Sequence, residues 1–193
     1  MNNLAPINNF ALASKICDRI NQRFPYISPN KIARLNYKEL ASDKDLLTKL
    51  KFKQMFLMQA RENRNNIKDN PFEFYKALIK DTDRIRALNC QEYAYFSYLG
   101  MRMNGIKNCK AIKPYLTEEN QIIDHVLIQN DNIFLDAWLG IADFGNKLKD
   151  LYKKIFHINP NTKLDFIQKP IVELSDEDVK KIKPLIPELD FTL

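Results

Sequence analysis

Three residues suited to thiol chemistry, Cys90, His125 and Asp136, occur in order within one stretch of the chain. A thiol nucleophile needs a base that takes its proton and later returns one to the leaving group. It also needs a third group that fixes the tautomer of that base. Cysteine, histidine and aspartate fill these roles in turn. Leu88-Asn89-Cys90-Gln91-Glu92-Tyr93-Ala94 puts the cysteine where an irregular approach gives way to helical periodicity, in the first turn of a helix. There the unpaired backbone N–H groups and the positive end of the helix dipole favour thiolate over thiol. His125 and Asp136 fall in two short apolar runs, Asp124-His125-Val126-Leu127-Ile128 and Ile133-Phe134-Leu135-Asp136-Ala137-Trp138, separated by Gln129-Asn130-Asp131-Asn132. This pattern predicts a β-hairpin with a four-residue turn, with His125 and Asp136 near each other on adjacent strands. Asp136 then holds the imidazole while His125 faces the helix bearing Cys90.

The remaining elements are those that must position these residues. Residues 8–24, with Phe10, Ile16, Ile20 and Phe24 near helical spacing, predict a first helix closed by Pro25. Residues 40–66 predict a long helix capped by Ser42 or Asp43, with its methionines and aromatics in the core. Pro71 opens another over 71–79, and Asp81-Thr82-Asp83 begins the approach to Cys90. The helix over 89–103 ends at Gly105 and has almost no polar face, so it belongs in the middle of the fold. Residues 109–116 predict a strand, with Pro114 suggesting an edge, and 117–121 a turn. Residues 142–156 read as a helix, 164–167 as an edge strand, and Ser175 as the cap of a last helix ended by Pro184 and Pro187. No low-complexity linker divides the 193 residues. The expectation is a single domain, with residues 1–83 a mainly helical part and 84–193 the catalytic core.

Composition narrows the chemistry. The chain is 45% hydrophobic and 28% charged, as in ordinary globular proteins. Its four glycines form no phosphate-binding loop of the P-loop or dinucleotide type. Three cysteines without a C-x-x-C pair argue against a disulfide framework and for a reducing compartment, with Cys17 and Cys109 as small core hydrophobes. Two histidines, His125 and His157, do not make a histidine-rich zinc site. A mixed site of Cys90, His125 and Asp136 is conceivable, but the expectation is no metal and no cofactor. The N-terminus lacks a signal-peptide pattern and no apolar run approaches ~18 residues, so a protein without a transmembrane segment is expected. Net charge is +6 overall, made of 17 Lys+Arg against 9 Asp+Glu in residues 1–89 and 13 against 15 in residues 90–193. The basic half suits a solvated helical face or one that meets an acidic partner. Nothing suggests nucleic-acid binding.

Asn89-Cys90-x-Glu92 on a helix, Asp124-His125-Val126 on a strand and Asp136-Ala137-Trp138 on the next resemble the papain-like and transglutaminase-like cysteine superfamily, especially the compact catalytic domains of bacterial effectors and toxins. The resemblance covers about residues 84–145 and implies an α+β fold with a central helix packed on an antiparallel sheet. It implies Cys90 as nucleophile, His125 as base and acid, and Asp136 as orienter. The chain departs from papain-like proteases in lacking an oxyanion-stabilising glutamine several residues before the nucleophile. The Cys90 backbone N–H with Asn89, Gln91 or another amide such as Gln121 must serve instead. Trp138 is expected near the triad as a wall or lid, or in contact with substrate.

Each residue alone has a duller explanation: a buried cysteine is usually a small hydrophobe, and a strand histidine usually a core residue. Their order on these elements argues for a cysteine enzyme that transfers the acyl group of a protein substrate through a thioester. Peptide cleavage, deconjugation, glutamine deamidation and transglutamination all fit that triad. The Asn-, Lys- and Ile-rich, Gly-poor composition suggests a bacterial effector delivered to a host cytosol and acting on a host protein. The rival reading is a non-catalytic module whose basic helices dock an acidic partner.

Overall fold

The structure, a computed structural model, describes residues 6–31 and 43–191. It is α+β, with helices α1 (Pro6–Arg23), α2 (Lys44–Asn65), α3 (Pro71–Ile85) and α4 (Cys90–Met103) leading into strands β1 (Cys109–Leu116), β2 (Gln121–Ile122), β3 (Leu127–Asn130), β4 (Ile133–Asp136) and β5 (Ile141–Phe144). Helix α5 (Gly145–Ile155), strand β6 (Leu164–Lys169) and helix α6 (Asp176–Ile182) follow, and short 3-10 turns at Lys183–Leu185 and Pro187–Leu189 close the chain. The sheet is antiparallel throughout, in the order β2-β1-β3-β4-β5, with β6 on the other side of β1.

Helix α4 is the centre of the packing. Residues 16, 17 and 20 of α1, with Phe24 just after its end, are spaced at three and four and fully buried against it and against the sheet. A Cβ at Gly100 would lie 2.8 Å from Ile16 Cγ2, so the absent side chain is what lets α1 and α4 close together. On the other face of the sheet Ile112, Leu127, Phe134 and Leu164 pack with Leu148 and Tyr152 of α5. Burying an aliphatic or aromatic side chain contributes about 1.5–3 kcal/mol, so these two layers hold the sheet between α4 and α5.

Several expected boundaries shift, each for a local reason. The helix opened by Pro71 runs on to Ile85 because Thr82 and Ile85 continue the buried stripe of Phe74, Tyr75, Leu78 and Ile79; Arg86 ends it with φ 54°. Residues 142–144 are strand, not helix: Ile141 to Phe144 pair with Asp136 to Ile133, and α5 starts only at Gly145. The β3–β4 turn is two residues long, since Asn130 pairs with Ile133, and Asp131 takes φ 51°. In α2 only Leu50, Leu57, Ala60 and Arg64 are buried, while Phe52, Met55, Phe56 and Met58 are more than half exposed; one stripe faces α3 and the expected apolar core is half outside. Asp43 caps α2 by accepting from the Leu46 N–H at 2.9 Å; the expected start of that helix at 40–42 lies outside the described residues, as do residues 1–5 of the N-terminus.

Strand β1 is interior, not an edge, and Pro114 explains how it can be. The Pro114 carbonyl accepts from the Ile123 N–H at 2.9 Å, so that residue's backbone points to the side occupied by β2 and β3. Its missing donor falls in the gap between the pairs Ile112↔Leu127 and Tyr115↔Ile122. Residues 123–126 cross that gap as an irregular segment, with the His125 N–H bonded to Ile123 O at 2.7 Å. His125 is therefore carried by a bend before β3 and not by a strand. Asp136 is the last residue of β4, and residues 137–140 form a turn, so Ala137 and Trp138 are outside the strand.

Candidate active site

Helix α4 begins at Cys90, with Asn89 before it in extended conformation. The Asn89 N–H donates to Glu92 Oε2 at 3.1 Å, satisfying a donor that the helix start leaves open. Glu92 is fully buried and tied to α2: Arg61 Nε and Nη2 approach its two oxygens at 2.8 and 2.6 Å, and Arg64 Nη2 lies 3.0 Å from Oε1. Arg64 in turn reaches Asp81 of α3 at 3.0 Å. The thiol is thus mounted on a helix end locked to two other helices.

The structure brings Cys90, His125 and Asp136 together in the core, all at least 95% buried. His125 Nε2 lies 2.6 Å from Asp136 Oδ2. Its Nδ1 is buried without a hydrogen-bond partner and is the ring nitrogen left for the Cys90 sulfur, whose charge acts on the imidazole. Trp138, Tyr152 and Phe156 surround the ring at centroid distances of 4.8, 5.4 and 5.6 Å. Asp136 is fully engaged: Tyr152 donates its hydroxyl to Oδ2 at 2.6 Å and the Leu139 N–H donates to Oδ1 at 3.2 Å.

The three thiols titrate in different directions. Burial pushes Cys17 up, and its S–H is spent on Ile141 O at 3.2 Å. Burial also pushes Cys109 up, to about 12. At Cys90 burial acts in the same sense, but the hydrogen bond and charge of His125 and the Val126 N–H outweigh it and lower the pKa below the ordinary thiol value. For His125 burial opposes the charged form, and the Asp136 carboxylate together with Cys90 overcomes it, raising the ring to about 9. A lowered pKa at the sulfur and a raised one at the imidazole both favour the charged forms, thiolate and imidazolium, over the neutral pair.

Asn30, 60 residues before Cys90, is the neighbour of the thiol that local sequence patterns do not reveal. Its Nδ2 donates to Cys90 Sγ at 3.5 Å. Its Oδ1 accepts from Trp138 Nε1 at 3.0 Å and from Ser28 Oγ at 3.0 Å, and Trp138 Nε1 also donates to Ser28 Oγ at 2.9 Å. Only the oxygen can accept, so these two donors turn the amide nitrogen towards the sulfur. The Asn89 amide is engaged elsewhere: its Oδ1 accepts from the Asn30 N–H at 3.1 Å and its Nδ2 donates to Gln54 at 2.7 Å. Trp138 has no exposed surface and acts as the wall of the site, with its carbonyl capped by Lys31 Nζ at 2.5 Å. His157 is exposed after α5 with φ 53° and is apart from the triad contacts. A groove of about 590 Å³ lined by Pro29, Leu50, Gln54, Met55 and Met58 reaches Asn30 from the α2 side.

Among the described residues no group of three or more His, Cys, Asp or Glu is placed to hold a metal ion, and no helix is long and apolar enough to cross a membrane. Comparison with protein-family models, curated proteins and solved structures finds no match to this chain.

Proposed function

We propose that the protein is a cysteine-dependent acyl-transfer enzyme of papain-like or transglutaminase-like type that acts on a protein substrate. The observation that carries this reading is the two-sided use of His125, with Nε2 on Asp136 at 2.6 Å and Nδ1 left for Cys90. The Cys90 thiolate attacks a carbonyl carbon, and the carbonyl electron pair moves onto oxygen. The Asn30 Nδ2–H and the Cys90 backbone N–H at the helix start are the donors on hand for that oxyanion. Collapse expels an amine that takes its proton from the imidazolium, leaving a thioester on Cys90. Water or a second amine, deprotonated by His125, then releases the acyl group. Protease, deamidase and transglutaminase chemistry share these steps and differ in the acyl group and its acceptor. The chain's composition and size suit a bacterial effector that modifies a host protein, and no cofactor is required for the steps above.

The test is the pH dependence of alkylation at each cysteine by iodoacetamide, followed by mass spectrometry in wild type, His125→Ala and Asp136→Ala. Cys90 is expected to react with an apparent pKa below the ~8.5 of a free thiol, and His125→Ala to raise it. A Cys90 as inert as Cys17 and Cys109 in all three proteins overturns the reading in favour of a non-catalytic module that docks an acidic partner.

A further inference from the structure

The register of β1 and β6 decides which side chains share the Cys90 side of the sheet. Residues directly paired in an antiparallel ladder point to the same face. Ala111 pairs with Lys169, and Lys113 with Ile167. Ala111 is buried in the core that contains α4, so Lys113 and Lys169 lie on that face too, one step further along. Lys169 shares a small hollow with Gln91 and Tyr95 of α4 and with Val126. Gln91 follows Cys90 in the chain, and the Val126 N–H helps to lower the pKa of the Cys90 sulfur. From the opposite side α2 contributes Arg61, whose charge also acts on Cys90.

These cations are not equally satisfied. Arg61 pairs with Glu92 at 2.6 Å, and Lys113 Nζ lies 3.5 Å from Asp124 Oδ1. Lys169 forms no salt bridge among the described residues, is half-buried, and is held below its ordinary pKa by burial first and then by Lys113 and Arg61, against the opposing pull of Cys90 and Asp124. Arg61 and Lys113 already have carboxylates, so Lys169 is the partly desolvated ammonium of the three left without an ion pair, which works against stability and suits an incoming anion.

We propose that Lys169, supported by Lys113 and Arg61, binds a carboxylate of the substrate: an acidic side chain of the target protein adjoining the carbonyl that Cys90 attacks. The inference rests on the thiol chemistry proposed above and adds a selectivity to it. The thioester forms at an acyl group flanked by Asp or Glu, and neutral or basic neighbours are disfavoured.

Iodoacetate and iodoacetamide present an anionic and a neutral reagent of similar size to the same sulfur. In the full-length chain, the ratio of their Cys90 alkylation rates is expected to fall about three- to tenfold in Lys169→Met and to fall with added salt in the wild type. Lys169→Gln, nearer in polarity, guards against a folding defect and should show the same loss, while Lys169→Arg keeps the ratio. A ratio indifferent to both neutral substitutions and to salt, at a Cys90 that iodoacetamide does alkylate, overturns the anion site and leaves the thiol chemistry standing. A wild-type Cys90 that neither reagent alkylates overturns both.

Discussion

Trp138 Nε1 donates to Asn30 Oδ1 at 3.0 Å across 108 residues of chain, and this bond sets which end of the Asn30 amide faces Cys90. Ser28 Oγ acts on the same oxygen at 3.0 Å, so the donor nitrogen is preorganised before substrate arrives. Removing one preorganised oxyanion donor costs about 10²–10³-fold in turnover, and Asn30→Ala is expected to show that loss while Cys90 keeps most of its reactivity to iodoacetamide. Trp138→Phe leaves the Asn30 amide in place and removes the indole donor to Asn30 and Ser28 with part of the buried ring, so its acyl-transfer defect should be smaller and of the same kind. Parallel single-turnover and alkylation measurements check both; equal losses in the two assays would place Asn30 in the scaffold instead.

The opposed shifts of Cys90 and His125 fix a pH window. Thiolate appears as pH rises through the lowered Cys90 pKa, and imidazolium disappears as pH rises through about 9. Acyl transfer needs both, so its rate against pH should be bell-shaped with the upper limb near that value. Alkylation needs only the thiolate and should lack the falling limb. Asp136→Asn takes away the negative charge that raises His125, so the upper limb should move to lower pH, readable as a shift of the descending half-point.

The sequence made the proximity of Cys90, His125 and Asp136 legible because each lies in a short-range pattern. A helix start at Cys90, an apolar run beginning near His125 and another holding Asp136 are local signals. The α+β class was legible for the same reason. What escaped depends on long-range pairing. Asn30 joins the site only because Trp138 and Asn89 hold it, and neither is near it in the chain. Residues 141–144 carry an apolar pattern that fits helix or strand, and pairing with β4 decides for strand. The irregular path of residues 123–126 follows from a donor missing at Pro114, which is visible in the sequence only once its neighbours are known.

Tyr152 is predicted to act through Asp136, not on substrate. Its hydroxyl donates at 2.6 Å to Oδ2, the oxygen that also holds His125 Nε2. Tyr152→Phe keeps the ring that packs on His125 and removes that donor, which should cost about 1–2 kcal/mol of stability in denaturant titration. Relieved of one donor, the carboxylate attracts the imidazolium more strongly, so the upper limb of the rate profile should move up, opposite to Asp136→Asn. A profile unmoved in Tyr152→Phe would make the hydroxyl purely structural.

Glu92 links the stability of the fold to the position of the thiol. It is fully buried, engages Arg61 and Arg64, and accepts from the Asn89 N–H beside Cys90. Burial alone would raise its pKa, but the two arginines and the backbone donor hold it below the ordinary carboxylate value. A depressed folded-state pKa contributes stability that is present above the unfolded value and lost as pH falls through the folded one. Glu92→Gln takes the carboxylate from Arg61 and leaves Arg64, only 3% exposed, with Asp81 alone, and breaking a buried pair in this way costs up to about 3–5 kcal/mol at neutral pH. Because the wild type loses the same charge on acidification, the difference between the two proteins should shrink as pH drops below 4.5, the ordinary carboxylate value. Urea titrations of both proteins at neutral and acid pH measure this, and a difference constant with pH would show that the pair is not what holds the nucleophile helix in place.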